Sequence, residues 1–204
     1  MALSMVLTIL GGYALSKKRL RGRKFFTLFI TFTMWFSAGM MPTYIIYKTL
    51  GLINTRIGVL MQGAVSTFYV IIMRTAFESV PESLEESMLI DGANDFQILL
   101  HTYLPLSVPT LMTLMLYYFV GRWNSYFWPM IILQDETKAP LQVILKKLIV
   151  EMNGLFDNGV DITTMSKETV VYATMVIAVA PMLILYPFIQ KFFIKGVMVG
   201  AVKG

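Results

Sequence analysis

Residues 78–105, ESVPESLEESMLIDGANDFQILLHTYLP, separate two long apolar stretches, and their reading decides the fold of the chain. Residues 57–77 precede them, with Gln62 and Arg74 as the most polar members, and residues 106–133 follow. Six acids stand between: Glu78, Glu82, Glu85, Glu86, Asp91 and Asp95. Each flanking stretch is long enough to cross a hydrocarbon core of ~30 Å as a helix of about 20 apolar residues. A loop this acidic between two membrane spans implies a surface that a soluble partner reads.

The loop itself carries helix signals. Ser79 with Glu82 three residues on fits a capping box, and Pro81 suits a first helical turn. Val80, Leu84 and Met88 fall on one face, and Glu82, Glu85 and Glu86 on the opposite one. Asp91-Gly92 ends the helix, glycine being the residue that accepts a left-handed turn. Phe96, Leu99, Leu100 and Tyr103 then repeat at helical spacing, and Pro105 and Pro109 mark the entry to the next span. The expectation is a short helix, a sharp turn and a second helix on the cytoplasmic surface. Two readings stand, a protein-docking element or an interfacial helix pair resting on lipid. An acidic face against an anionic membrane surface is unfavourable, which favours the protein partner.

Composition agrees with a membrane protein. The 204 residues are 56% hydrophobic and 14% charged, against roughly a quarter charged in soluble domains. Five apolar runs read as spans: 1–16, 25–47, 57–77, 106–133 and 169–189. The expected architecture is therefore an all-α, polytopic membrane helix bundle of about five transmembrane helices, forming a single domain over 1–204. The first run is short and is followed, not preceded, by basic residues, the reverse of a signal peptide. The expectation is a chain whose upstream membrane portion is missing.

Lys17, Lys18, Arg19, Arg21, Arg23 and Lys24 form that basic turn. By the positive-inside rule they place 17–24, 78–105 and 190–204 in the cytoplasm, which accounts for them without nucleic acid. Pro42 marks a plausible kink in the second span. Arg122, Trp123, Asn124, Ser125 and Tyr126 form a polar cluster at the outer end of the fourth. An arginine there either faces a cavity or partner, or snorkels to the interface beside Trp123 and Trp128. Residues 141, 144, 145, 148 and 149 have the spacing of a surface helix that lies flat on the membrane or caps a path. DNGVD at 157–161 is a fragment of a calcium loop without its closing glutamate, and reads as a plain turn.

Residues 86–105 resemble the EAA signature loop of permease subunits in bacterial ABC importers. Aligned on Gly92, the motif glutamate falls at Glu86, with Ser87 and Met88 in place of the two alanines. Nine residues separate Gly92 from Thr102, which stands at the isoleucine position, and Leu104-Pro105 close the motif. Asp91-Gly92-Ala93 matches the Asp-Gly-Ala common among sugar permeases. GGYALSKKRLRGRK at 11–24, Trp123-Asn124 with Pro129, and QKFFIKGVMVGAVKG at 190–204 are similar to segments of carbohydrate-importer permeases of the maltose-permease type. Members usually have six spans.

The resemblance implies a sugar or oligosaccharide permease that pairs with a second permease, two ATP-binding subunits and an extracytoplasmic solute-binding protein, in the lipid of the cell membrane. It implies a coupling helix within 81–105 that meets the ATPase through Glu82, Glu85, Glu86, Ser87, Asp91, Gly92, Ala93, Leu104 and Pro105. Arg122, Asn124 and Tyr126 are the candidates for a translocation path. No enzyme activity, cofactor or metal is expected: there is no phosphate loop, no HExxH, no GxSxG, no cysteine and a single histidine, His101. The alternative is a membrane assembly protein whose acidic loop recruits a soluble factor without transport.

Overall fold

The computed structural model describes the backbone of residues 1–157 and 167–201 and the side chains of 1–151 and 169–187. The elements run α1 (Ala2–Ser16), α2 (Arg23–Trp35), α3 (Met40–Thr49), α4 (Arg56–Met61), α5 (Thr67–Glu78), α6 (Glu82–Ile90) and α7 (Asp95–Ile98). A π-helical turn, Leu99–Tyr103, leads into α8 (Leu104–Leu106) and α9 (Val108–Trp123). Then come α10 (Phe127–Ile132), a 3₁₀ turn at Glu136–Lys138, α11 (Leu141–Asp157) and α12 (Lys167–Ala201). Every regular element among the described residues is helical, in keeping with the expected all-α class.

The chain divides into two compact units. One contains Met1–Gly39 and Gly63–Phe119, with the end of α12 from Phe192; the other contains Met40–Gln62 and Val120–Lys191. In the first, α1 packs along α5. Small residues let membrane helices approach closely where no hydrophobic effect drives them together. Gly12 is the contact point: a Cβ there would lie 2.9 Å from Met73 Cβ and 3.1 Å from the Arg74 nitrogen. Around this seam Tyr13, Met73, Phe77, Val80, Ile98, Leu99, Tyr103 and Leu114 form one buried cluster. Residues of the acidic loop thus belong to the same core as the helices.

In the second unit α4 meets α10, where Ile132 is fully buried. The turn before α4 is tied to the segment after α10. Asn54 N–H donates to the Ile132 carbonyl at 2.8 Å, and Asn54 Oδ1 accepts from Asp135 N–H at 3.1 Å. α11 forms where the spacing predicts a helix, but among its described side chains Val143 and Leu145 are buried, while Leu141, Ile144 and Leu148 are exposed.

Several expectations need correction. Among the described residues one helix, Thr169–Pro187 within α12, is long and apolar enough by itself to cross a membrane, rising to three when two interrupted helix pairs each count as one span. The run 25–47 breaks at 36–39 rather than at Pro42, which sits in the first turn of α3, where proline is tolerated. The run 57–77 breaks at 62–66 between α4 and α5. The run 106–133 breaks after Trp123. Residues 158–161 of the DNGVD turn, and 202–204 with the side chains of the 190–204 tail, lie outside the described residues.

The break between α4 and α5 has backbone polar groups answered on both sides, as lipid requires. Arg122 donates to the carbonyls of Gln62 at 2.7 Å and of Val59 and Leu60 at 3.2 Å, capping the end of α4. Tyr118, one turn earlier on α9, accepts from Ser66 N–H at 3.2 Å and lies 2.6 Å from the buried Thr8 hydroxyl.

Gly12→Val should force α1 from α5, since one of the clashing atoms is backbone. Overpacking of this kind costs about 1–3 kcal/mol. The purified protein should melt at lower temperature, with Gly12→Ala intermediate; an unchanged midpoint for the valine variant would remove Gly12 from the seam.

Candidate functional site

The acidic loop and the basic turn, expected to serve different purposes, meet. α1 ends at Ser16, and the residues after it place cations where helix-terminal carbonyls favour positive charge. Arg23 Nε donates to the Leu15 carbonyl at 2.7 Å, satisfying one of those carbonyls. Lys17 Nζ lies 2.7 Å from Glu85 Oε1, and Lys18 Nζ 2.6 Å from Glu82 Oε1. Arg19 pairs with Asp95, and Arg23 with Glu78, whose Oε1 also accepts from Arg74 Nε at 2.8 Å. Four of the loop's six acids are therefore answered within the chain, by cations that the sequence explains through topology alone.

The pairs differ in weight. Lys18 with Glu82 is exposed, and exposed pairs contribute about 0–1 kcal/mol. Lys17 and Glu85 are only 9% and 16% exposed. Lys17 Nζ also lies 4.2 Å from the centre of the Tyr13 ring and 4.0 Å from that of Tyr103. Tyr103 donates its hydroxyl to Glu85 Oε2 at 2.5 Å, and Tyr13 donates to the Asp95 carbonyl at 3.0 Å. Tyr13, Phe77 and Tyr103 meet edge to face, with centroids 5.2 to 6.0 Å apart. A desolvated cation over aromatic faces gains about 2 kcal/mol.

This arrangement sets the charge state of the loop. Burial pushes the Glu85 carboxyl up, but the hydrogen bonds from Lys17 and Tyr103 and the positive charges of Lys17 and Arg19 outweigh it, leaving the group below its ordinary value. Burial pulls the Lys17 ammonium below the ordinary lysine range, and Glu85 opposes that pull. The Tyr103 hydroxyl is raised by burial and by its bond to Glu85.

The ends of the loop helices depart from the sequence reading. The capping box at Ser79 and Glu82 does not form, because Ser79 closes α5 and its hydroxyl donates to the Ala76 carbonyl. A capping box forms instead at Asn94, which accepts from Gln97 N–H at 2.9 Å while Gln97 accepts from Asn94 N–H at 2.8 Å. At Gly92 the expectation holds: φ is +78°, the Gly92 N–H donates to Leu89 and the Ala93 N–H to Met88. These are the two bonds of a Schellman turn.

Of the expected faces, Val80 is buried and Met88 packs on the core, but Leu84 is exposed and Glu85 points inward. Leu99 and Tyr103 are buried as expected, whereas Phe96 and Leu100 are exposed. The wider π turn brings Ile98, Leu99, Thr102 and Tyr103 to one side.

The outward surface of the loop is mixed, with Leu84, Leu89, Ile90, Phe96 and Leu100 exposed on it. Glu86, Ser87, Asp91 and Gly92 are exposed, with Ile90 at 86% between them. Among the described residues Glu86 and Asp91 have no ion-pair partner. Ala93 and Leu104 pack against the core, and Pro105 is exposed in α8. The second candidate group is not brought together: Arg122 caps α4, Asn124 is exposed, and the Tyr126 ring lies 5.9 Å from Lys146 Nζ.

A carboxyl with a depressed pKa stabilises the folded loop above its ordinary titration range, and that contribution is lost as pH falls through the depressed value. Protection of the amides of 82–90, taken as exchange relative to the intrinsic rate at each pH, should hold from neutral pH down to the ordinary carboxylate range and fall below it. Glu85→Gln and Lys17→Met should exchange faster already at neutral pH. Parental protection in both variants would show that the pair does not hold the loop.

Comparison with known proteins places this architecture. Residues 5–199 match the family described as binding-protein-dependent transport system inner membrane component. The polygalacturonan/rhamnogalacturonan transport system permease protein YtcP of Bacillus subtilis is 39% identical over 100% of this chain and 72% of its own length. The arabinooligosaccharides transport system permease protein AraQ of Halalkalibacterium halodurans is 28% identical over 99% of this chain and 69% of its own. A crystal structure of a bacterial ABC transporter involved in the import of the acidic polysaccharide alginate contains a chain that superposes with TM-score 0.85 at 46% identity. The match covers 95% of this chain and 70% of that one. The chain belongs to the family of binding-protein-dependent transport system inner membrane components, the membrane permease subunits of ABC importers.

Proposed function

We propose that this permease imports a sugar or oligosaccharide, and that α6 with the turn at Gly92 is the element through which an ATP-binding subunit drives it. A permease of this family works with an ATPase and a solute-binding protein. The reading of the cargo is supported by relatives whose transport is of polygalacturonan or rhamnogalacturonan, arabinooligosaccharides and alginate. A second permease completes the path, as the resemblance in the loop implies.

One observation carries the assignment of the loop. With four acids paired against the basic turn, the bend at Gly92 presents the most exposed large apolar side chain of the loop, Ile90, between the unpaired carboxylates of Glu86 and Asp91. An apolar anchor ringed by charge is the composition of a protein-docking hot spot. Its base is fixed to α1 and α5 by buried contacts, so a push on α6 moves the helices with it instead of bending a loop. Glu86 supplies the charged contact, Ile90 the apolar one and Gly92 the turn. Glu82, Glu85, Ser87, Asp91, Ala93, Leu104 and Pro105 hold or frame that surface. Asn124 and Tyr126 face the translocation path, with Arg122 fixing the end of α4.

Glu86→Lys replaces attraction by repulsion at the contact. Gly92→Val places a branched residue at positive φ, a cost on the order of 1 kcal/mol or more. Both variants should reach the membrane but lose the ATPase on co-purification, with oligosaccharide uptake down at least about tenfold, the equivalent of ~1.4 kcal/mol. Retention of the ATPase and parental uptake by both would exclude this loop as the coupling element. Asn124→Leu should keep the ATPase and slow uptake alone; normal uptake would take Asn124 out of the path.

A further inference from the structure

A cleft of about 740 Å³ opens beside the start of α2, within the first unit. Its wall carries four cations, Lys18, Arg23, Lys24 and Arg74, and no acid. Their compensation is incomplete. Arg23 and Arg74 share one carboxylate oxygen of Glu78, so two guanidinium groups face a single negative charge. Lys18 is answered by Glu82, and Lys24 has no ion-pair partner among the described residues. Thr27 accepts a hydrogen bond from Arg74 at 3.2 Å, which holds that guanidinium at the α2 side of the cleft.

The rest of the wall is apolar. Leu20 and Leu28 line the cleft, and Leu28 is 71% exposed. Phe32 and Trp35 follow Leu28 at helical spacing, 52% and 81% exposed, and no residue of α2 is buried. A cationic mouth therefore opens onto an uncovered apolar stripe on a membrane helix. The pairing is amphipathic in the same sense as a phospholipid, and basic pockets between helices at the membrane surface take anionic headgroups. Guanidinium forks suit phosphate oxygens.

We infer that this cleft binds an acidic phospholipid. The phosphate sits against Arg23, Lys24 and Arg74, and an acyl chain lies along Leu28, Phe32 and Trp35. Free phosphate would use the cations but leave the stripe bare. The inference rests on the basic turn lying at the membrane surface and is independent of the docking role of α6. A lipid seated here would brace α2 against α5 beside Glu78, next to the ion pairs that hold the acidic loop.

The test uses the assembled importer in nanodiscs carrying a trace of photoactivatable phosphatidylglycerol, with a phosphatidylcholine of the same tails in parallel discs. Lipid attached to α2 is read by mass spectrometry of the digested permease. Phosphatidylglycerol should label residues 24–35 several-fold above phosphatidylcholine, and millimolar inorganic phosphate should not reduce it. Lys24→Gln breaks no ion pair and should lower the label several-fold, while Lys24→Arg keeps it. Leu28→Asp leaves the cations in place and should lower it as well. Equal labelling by the two lipids, competition by phosphate, or full labelling of both Lys24→Gln and Leu28→Asp would each overturn the assignment. Labelling is measured apart from ATPase capture, so a failure here does not touch the coupling role of the loop.

Discussion

The ammonium of Lys17 holds two parts of the chain that are far apart in sequence. It lies between the rings of Tyr13 and Tyr103 and against the carboxylate of Glu85, so one nitrogen touches the end of α1, α6 and the π turn that follows α7. A buried charge is costly unless each partner is well placed. Removing any one leaves a charge or a hydroxyl without its answer in a nearly closed site. The arrangement tolerates little relaxation, and so the acidic loop behaves as an extension of α1 and α5.

The pairing of the basic turn with the acidic loop follows one order. Lys17 takes Glu85, Lys18 takes Glu82, Arg19 reaches Asp95, and Arg23 joins Arg74 on Glu78. The outer pairs are exposed and individually weak, but they surround a buried one, and together they select one register of loop on turn. Cations that the sequence offers as a topology signal therefore also build the loop in the folded chain. Pairing four of the six acids leaves Glu86 and Asp91 as the unpaired carboxylates of the loop among the described residues, on either side of the exposed Ile90.

The sequence made the helical class and the existence of the loop readable, because apolar runs and a Gly92 turn with fixed spacing to Leu104-Pro105 are local signals. The contacts that give the loop its form were not readable. Lys17 and Glu85 are far apart along the chain, and each had a sufficient explanation on its own, topology for one and docking for the other. The signal was present in the matching of four cations to four acids. The cap moved for a related reason: Ser79 fits a capping box by spacing, but α5 runs on to Glu78 and takes that hydroxyl for its own end. Phe96 and Leu100 share helical spacing with Leu99 and Tyr103, yet the buried stripe runs through Ile98, Leu99, Thr102 and Tyr103, a choice of face that only the packing on Tyr13 and Phe77 decides.

The interrupted spans have a cause that hydropathy cannot register. A run such as 57–77 is apolar enough for one helix, yet it stops at Met61 and restarts at Thr67. Such a break is tolerable in lipid only if the freed backbone groups find partners inside the protein. α9 supplies them from adjacent turns of one helix: Arg122 takes the carbonyls that end α4, and Tyr118 takes the Ser66 N–H that precedes α5. The arginine that reads as an expense in the membrane is the group that makes the break affordable. Its three carbonyl partners satisfy a cation without a carboxylate, which removes the need for a buried acid on α4. One helix thus answers both sides of the break, the carbonyls that end α4 through Arg122 and the N–H before α5 through Tyr118, which is what a broken helix needs to persist in lipid.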